Sequence, residues 1–161
     1  MSMYEGIKIL LPTKARLTDI VLESSCQNLN IDIIKKIAKT IDERGNFVFS
    51  IDKKHILRQL NLYIHSFDRE ELIFICEHTN INRRVIPLDN KWFLNISMSQ
   101  TYAIVKSCYP YLIVKRHLFT LFLEFYEQRK NVESSEDFEK LGVLLNKLKD
   151  DVYAFKKNSR R

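Results

Sequence analysis

Glycine is scarce in this chain: three in 161 residues, at Gly6, Gly45 and Gly142. A phosphate-cradling loop needs glycines close together so that backbone amides can close around an anion, and none are, which excludes nucleotide-binding folds of that kind. Proline is equally rare, at three residues, so long stretches are free to form helix or strand. The three cysteines, Cys26, Cys76 and Cys108, lie too far apart for a zinc-ligand pair or a small disulfide framework, and they read as reduced, buried small hydrophobes. His55, His65, His78 and His117 show no metal-ligand spacing, and no Ser, Cys or His sits in a recognisable nucleophile motif. No apolar run is long enough to cross a bilayer, and the early acids Glu5, Asp19 and Glu23 are unlike a signal or transit peptide. No cofactor, no metal and no membrane partner are therefore expected.

The composition that remains, 45% hydrophobic and 29% charged, is that of one globular domain with a sizeable core. Lys and Arg number 26 against 20 acids, giving a net charge of +6 and a pI near 9.2, which favours an anionic partner such as nucleic acid. The basic residues are spread in clusters: Lys35, Lys36 and Lys39; Lys53, Lys54, His55 and Arg58; Arg83 and Arg84; Lys115, Arg116 and His117; and the tail Lys156, Lys157, Arg160 and Arg161. Such scatter suits backbone contact on an irregular polyanion, so RNA is favoured over duplex DNA. Abundant Ile, Asn and Lys would suit an A/T-rich organellar or viral genome, and an organellar location is the expectation.

Along the chain, Asn30 or Asp32 can cap a helix whose Ile33, Ile34, Ile37, Ala38 and Ile41 recur at helical spacing until Gly45. Phe47 to Ile51 then alternates as a strand, and a second strand carries Ile56, Leu60, Leu62 and Ile64 on its apolar face. Asp68 and Glu71 form a capping-box pattern for a helix through about His78. Strands from about Arg83 to Leu88 and Lys91 to Ser97 flank the turn Asp89-Asn90. Helices follow near Gln100 to Cys108, Val114 to Gln128 and Asp137 to Phe155. The order αββαββα, with helices appended, defines an α+β domain: a four-stranded antiparallel sheet covered by helices on one face and open on the other. Residues 1–30 are an N-terminal extension, 31–130 the core, and 131–161 the C-terminal helix and basic tail.

Residues 37 to 45 read Ile-Ala-Lys-Thr-Ile-Asp-Glu-Arg-Gly, and residues 110 to 116 read Pro-Tyr-Leu-Ile-Val-Lys-Arg. Together the two segments resemble those of the single-motif LAGLIDADG homing endonucleases. The resemblance implies a saddle-shaped sheet over nucleic acid, with a groove-facing set drawn from Val48, Ser50, Asp52, Leu57, Gln59, Asn61 and Tyr63. The hairpin would add some of Arg83, Val85, Pro87, Lys91, Phe93 and Asn95. Asn and Gln side chains can pair bidentately with adenine, and Arg or Lys can read guanine. The contact set is thus Ser50, Gln59, Asn61, Tyr63, Arg83, Arg84, Lys91 and Asn95 on the face, with Arg44, Lys115 and Arg116 touching phosphates.

Two positions depart from the family pattern. Active members carry a metal-binding acid at the eighth motif position, where this chain has Arg44, and a glycine at the third, where it has Lys39. The first substitution removes a ligand needed for metal-dependent phosphodiester cleavage. The second places a charge where family members pack two motif helices together, so the family homodimer is not expected. Ser66 falls near a polar position that orients water in the family. The expectation is a non-catalytic nucleic-acid-binding protein in an organellar ribonucleoprotein such as a ribosome or intron-splicing complex. An active site-specific DNA endonuclease and a protein-interaction module remain the alternatives.

Overall fold

The computed structural model describes residues 26–49 and 59–159. The expectations placed on Ser50, Asp52, Leu57, the 53–58 basic turn, residues 1–25 and the last two arginines fall outside that range.

The first helix, α1 (Ile31–Arg44), starts where the Asn30 side chain accepts the Asp32 amide at 2.8 Å. Its inner stripe buries Ile37, Ala38 and Ile41, and strand β1 (Gly45–Phe49) follows with no intervening turn. The helix ends at Gly45, as its apolar spacing indicated, but not through a conformation reserved to glycine. The φ of Gly45 is −77°, an ordinary extended value, and space is what matters: a Cβ there would lie 2.7 Å from the Ile41 carbonyl oxygen. Strand β2 (Leu60–Ser66) runs antiparallel to β1, pairing Phe47 with Leu62.

After β2 come α2 (Arg69–Thr79), β3 (Ile86–Leu88) and β4 (Lys91–Ile96). The sheet order is β1-β2-β4-β3, antiparallel throughout. Leu60, Leu62 and Ile64 of β2 and Leu94 and Ile96 of β4 face the helices and are fully buried. The Asp89-Asn90 turn forms as expected, with positive φ at Asp89, 55°. Strand β3 is shorter than its sequence pattern suggested, because residues 82–85 run irregularly before it.

Helix α3 (Met98–Cys108) begins earlier than its apolar spacing indicated, because Ser97 and Gln100 form a capping box at its start. A short turn of 3₁₀ helix (Tyr109–Tyr111) leads to α4 (Arg116–Lys130), which packs against α5 (Ser135–Ser159). Phe119, Phe122 and Phe125 of α4 and Phe138 of α5 are almost wholly buried, and Phe47 of β1 sits 4.9 Å from the Phe119 ring. Buried side chains from both helix and sheet layers form one contiguous cluster.

Helix α4 has no capping side chain of its own. Its cap comes from far away in sequence: Asp42, near the end of α1, accepts the amides of Ile113 and Val114 on Oδ2 at 3.0 and 2.9 Å, and that of Lys115 on Oδ1 at 2.8 Å. The carboxylate is buried, and its charge lies where the amides at the head of α4 point. Replacing Asp42 by Ala leaves three amides without their acceptor and should lower stability by roughly 2–4 kcal/mol, read as a reduced urea midpoint at constant slope.

Candidate nucleic-acid interface

The side of the sheet away from the helices carries Asn46 and Val48 on β1 and Asn61, Tyr63 and His65 on β2. Lys91, Phe93 and Asn95 continue it on β4, with Ile86 and Leu88 on β3. The Tyr63 and Phe93 rings meet edge-on with centroids 4.9 Å apart, and His65 lies 5.0 Å from Phe93. Lys91 Nζ stands 5.0 Å from the exposed Phe67 ring just beyond β2. The Oδ1 atoms of Asn61 and Asn95 are buried within this face and have no hydrogen-bond partner. Among the described residues the face is therefore rich in rings and amides and poor in charge.

Asn61, Tyr63, Lys91 and Asn95 are placed together here as the sequence suggested, with Gln59 just before β2. The hairpin assignment needs correction. Ile86 pairs with Phe93 and Pro87 with Trp92, so Ile86 and Leu88 share the open face while Pro87 lies on the other side. Val85 packs against the core. The signal was available, since a two-residue turn at 89 and 90 pairs 88 with 91 and hence 86 with 93. Arg83 and Arg84 are exposed in the irregular segment before β3, and Arg83 Nε donates to Gln100 Oε1 at 3.1 Å.

At the junction of α1 and β1, Arg44 Nε donates to Glu71 Oε1 at 3.0 Å. Ser66 Oγ donates to Glu71 Oε2 at 3.1 Å and accepts the Asp68 amide at 3.0 Å. The expected capping box is thus only half made. Asp68 caps α2 by accepting the Glu70 amide, while Glu71 turns away to Arg44, because a guanidinium is a stronger partner for a carboxylate than a neutral amide. Beside the pair opens a cleft of about 410 Å³ lined by Lys36, Lys39, Thr40, Glu43, Arg44, Asp68, Glu70 and Glu71. Sequence reading missed Glu71 as a partner of Arg44, since an acid in the first turn of a helix already has a local explanation.

Lys115 must also be corrected. It was assigned to phosphate contact, but it is 7% exposed and its Nζ donates to the Gly45 carbonyl oxygen at 2.6 Å. Burial lowers its pKa, opposed by the Asp42 carboxylate. Lys115 ties the head of α4 to the start of β1 and is not free to meet a phosphate. Arg116 is exposed in the helical layer, 4.9 Å from the Tyr109 ring centre.

These residues do not suit the divalent cation on which the family's cleavage chemistry depends. The motif acid's position holds a guanidinium, its neighbour Glu71 is already bound to that guanidinium, and Asp42 is spent on backbone amides. Among the described residues no three His, Cys, Asp or Glu side chains gather closely enough to hold a metal ion.

No family model and no curated protein matches the chain in sequence. Solved structures do match its fold. An archaeal intron-encoded homing endonuclease complexed with DNA, I-Vdi141I, superposes with a TM-score of 0.62 at 20% identity, over 75% of this chain and 85% of that one. The homing endonuclease I-CvuI, in complex with the I-CreI target in the presence of magnesium with the DNA not cleaved, gives 0.62 at 15% identity, over 82% and 99%. The LAGLIDADG meganuclease I-AabMI bound to uncleaved DNA gives 0.57 at 26% identity, over 73% of this chain and 44% of that longer one. The protein has the LAGLIDADG homing endonuclease fold.

The open face contains a histidine, His65, whose titration can be checked. Burial and then the Lys91 charge lower the His65 pKa from 6.5. Between that lowered value and 6.5 the unfolded chain binds more protons than the folded one, so stability falls as pH drops through this window. Proton NMR should show His65 titrating below 6.5, with Lys91→Ala moving it back up.

Proposed function

We propose that the protein binds nucleic acid on its open sheet face without cutting it, and that its ligand is RNA with unpaired bases, held in an organellar ribonucleoprotein. The observation that carries the loss of cleavage is the Arg44–Glu71 pair at the end of α1. A guanidinium beside the reacting phosphate repels a divalent ion, and the nearby carboxylate is already engaged. Phosphate contact remains open to Arg44. Its side chain is 40% exposed and that of Glu71 21%, so the pair contributes at most about 1 kcal/mol and a phosphate oxygen can replace the carboxylate at small cost.

The choice of unpaired bases follows from the face itself. Duplex affinity comes chiefly from neutralising phosphates, and among the described residues the strands of this face present a single lysine, Lys91. Tyr63, Phe93, His65 and Phe67 instead offer rings on which bases stack, an interaction worth about 1–3 kcal/mol per base. Asn46, Asn61 and Asn95 supply amides for base edges. The similar endonucleases in complex with DNA support nucleic-acid binding in general, and duplex DNA is the competing ligand.

Fluorescence anisotropy with a short single-stranded RNA and a duplex DNA of the same sequence tests this reading. RNA should bind more tightly, with affinity falling as salt rises, and Arg44→Ala should weaken binding by about 3- to 10-fold through loss of one charge-assisted phosphate contact. A reproducible magnesium-dependent cut in a randomised plasmid library would overturn the non-catalytic part. Absence of binding to either nucleic acid would overturn all of it.

A further inference from the structure

Two amide oxygens on the open sheet face are left without a donor. Asn61 on β2 and Asn95 on β4 are half-buried, each Oδ1 is shut off from solvent, and among the described residues neither oxygen has a hydrogen-bond partner. Folded proteins seldom keep such atoms, because a carbonyl oxygen stripped of water and given no donor costs stability. A leucine of the same shape would avoid that cost at either position. The fold itself gains nothing from these two oxygens.

Strand register brings the pair together. Tyr63 stands opposite Asn95 and two residues along β2 from Asn61, so the asparagines are diagonal neighbours on adjacent strands, with backbones about 7–8 Å apart and side chains nearer. Tyr63 lies between them, its ring met edge-on by that of Phe93. No hydrogen bond holds either oxygen, and the terminal torsion of an asparagine amide is soft, so both can turn toward a donor that arrives on this face.

We infer that Asn61 and Asn95 select the base: their oxygens accept the two hydrogens of one exocyclic amino group, on an unpaired base whose ring lies against Tyr63. Two oxygens sharing one amino nitrogen at ordinary hydrogen-bond length stand about 5 Å apart, within reach of diagonal side chains. Adenine, cytosine and guanine carry such a group. Uracil offers a single N–H between two carbonyls, whose oxygens would face the amide oxygens as like dipoles. In a Watson–Crick duplex one amino hydrogen is already committed to the opposite base, and a single donor is left in the groove. Only an unpaired base has both free. Such selection rests on the reading that the sheet face binds RNA with unpaired bases.

Short oligo(C) and oligo(U) RNAs at neutral pH test the selection in the full-length chain, since they share phosphates and a pyrimidine ring and differ in an amino group against a carbonyl. Anisotropy across a salt series should give equal slopes for the two, with oligo(C) bound more tightly by about 2- to 10-fold for each oxygen satisfied. A short mixed sequence should lose affinity when its adenosines are replaced by purine riboside, which lacks only the amino group. Asn61→Leu with Asn95→Leu should abolish both preferences, change oligo(U) binding little, and raise the urea midpoint. Asn61→Ala with Asn95→Ala serves if the larger side chains do not fit, and circular dichroism checks folding. Tyr63→Ala should weaken oligo(C) and oligo(U) alike.

Equal affinity for oligo(C) and oligo(U), or a preference that persists in the leucine variant, overturns the selection; if Tyr63→Ala still weakens binding, the sheet reading survives that loss. A lowered urea midpoint in the folded leucine variant also overturns the selection, because the oxygens then have partners in the free protein. So does duplex DNA binding more tightly than oligo(C). If the parent binds RNA and Tyr63→Ala binds it equally well, or if the parent binds no nucleic acid, the sheet reading and the selection fall together.

Discussion

The junction of α1, β1 and α4 is built around the Asp42 carboxylate. That carboxylate sits near the end of α1, is buried, and is satisfied by three backbone amides from the segment that opens α4. Lys115 closes the same junction from the other direction, its ammonium on the Gly45 carbonyl oxygen. A buried charge is tolerable only when its hydrogen-bonding capacity is filled, and here one carboxylate fills the donors of a helix start that has no cap of its own. The two contacts fix where α1 ends, where β1 begins and where the loop of residues 113–115 lies. The Arg44 junction inherits its position from that arrangement.

Within this frame, Arg44 is accommodated without disturbing the architecture. Arg44 lies on the far side of α1 from Asp42 and is taken up by Glu71, which is itself oriented by Ser66. An acid at the same point would sit beside Glu71 as a like charge and both would seek a cation. A guanidinium removes that demand by satisfying the carboxylate directly. The helix, the strand and the interhelical cap need nothing from the Arg44 side chain, whose partner is Glu71.

The two faces of the molecule differ in chemistry. Among the described residues the sheet face offers rings and amides with little charge, and the helical layer carries more of the cations. Strand geometry favours the first, because alternate residues of adjacent strands stand close enough for rings such as Tyr63 and Phe93 to contact one another. On the helical layer a long cationic side chain such as Lys35 reaches out over the neighbouring Tyr111 ring.

How much of this the sequence contained depends on whether the cause was local. Helical spacing in α1, α4 and α5, the two-residue turn at Asp89-Asn90, and the alternation in β2 are short-range signals, and they gave the element order and the sheet. The resemblance of residues 37–45 and 110–116 to family motifs located Arg44 and Lys39. The exchange of Glu71 from a helix cap to Arg44, the burial of Lys115 against the start of β1, and the fastening of residues 113–115 by Asp42 were decided by tertiary structure alone. Each is a contact between side chains or amides from separate elements, and its energy depends on distance and solvent exclusion in three dimensions, which no spacing along the chain encodes.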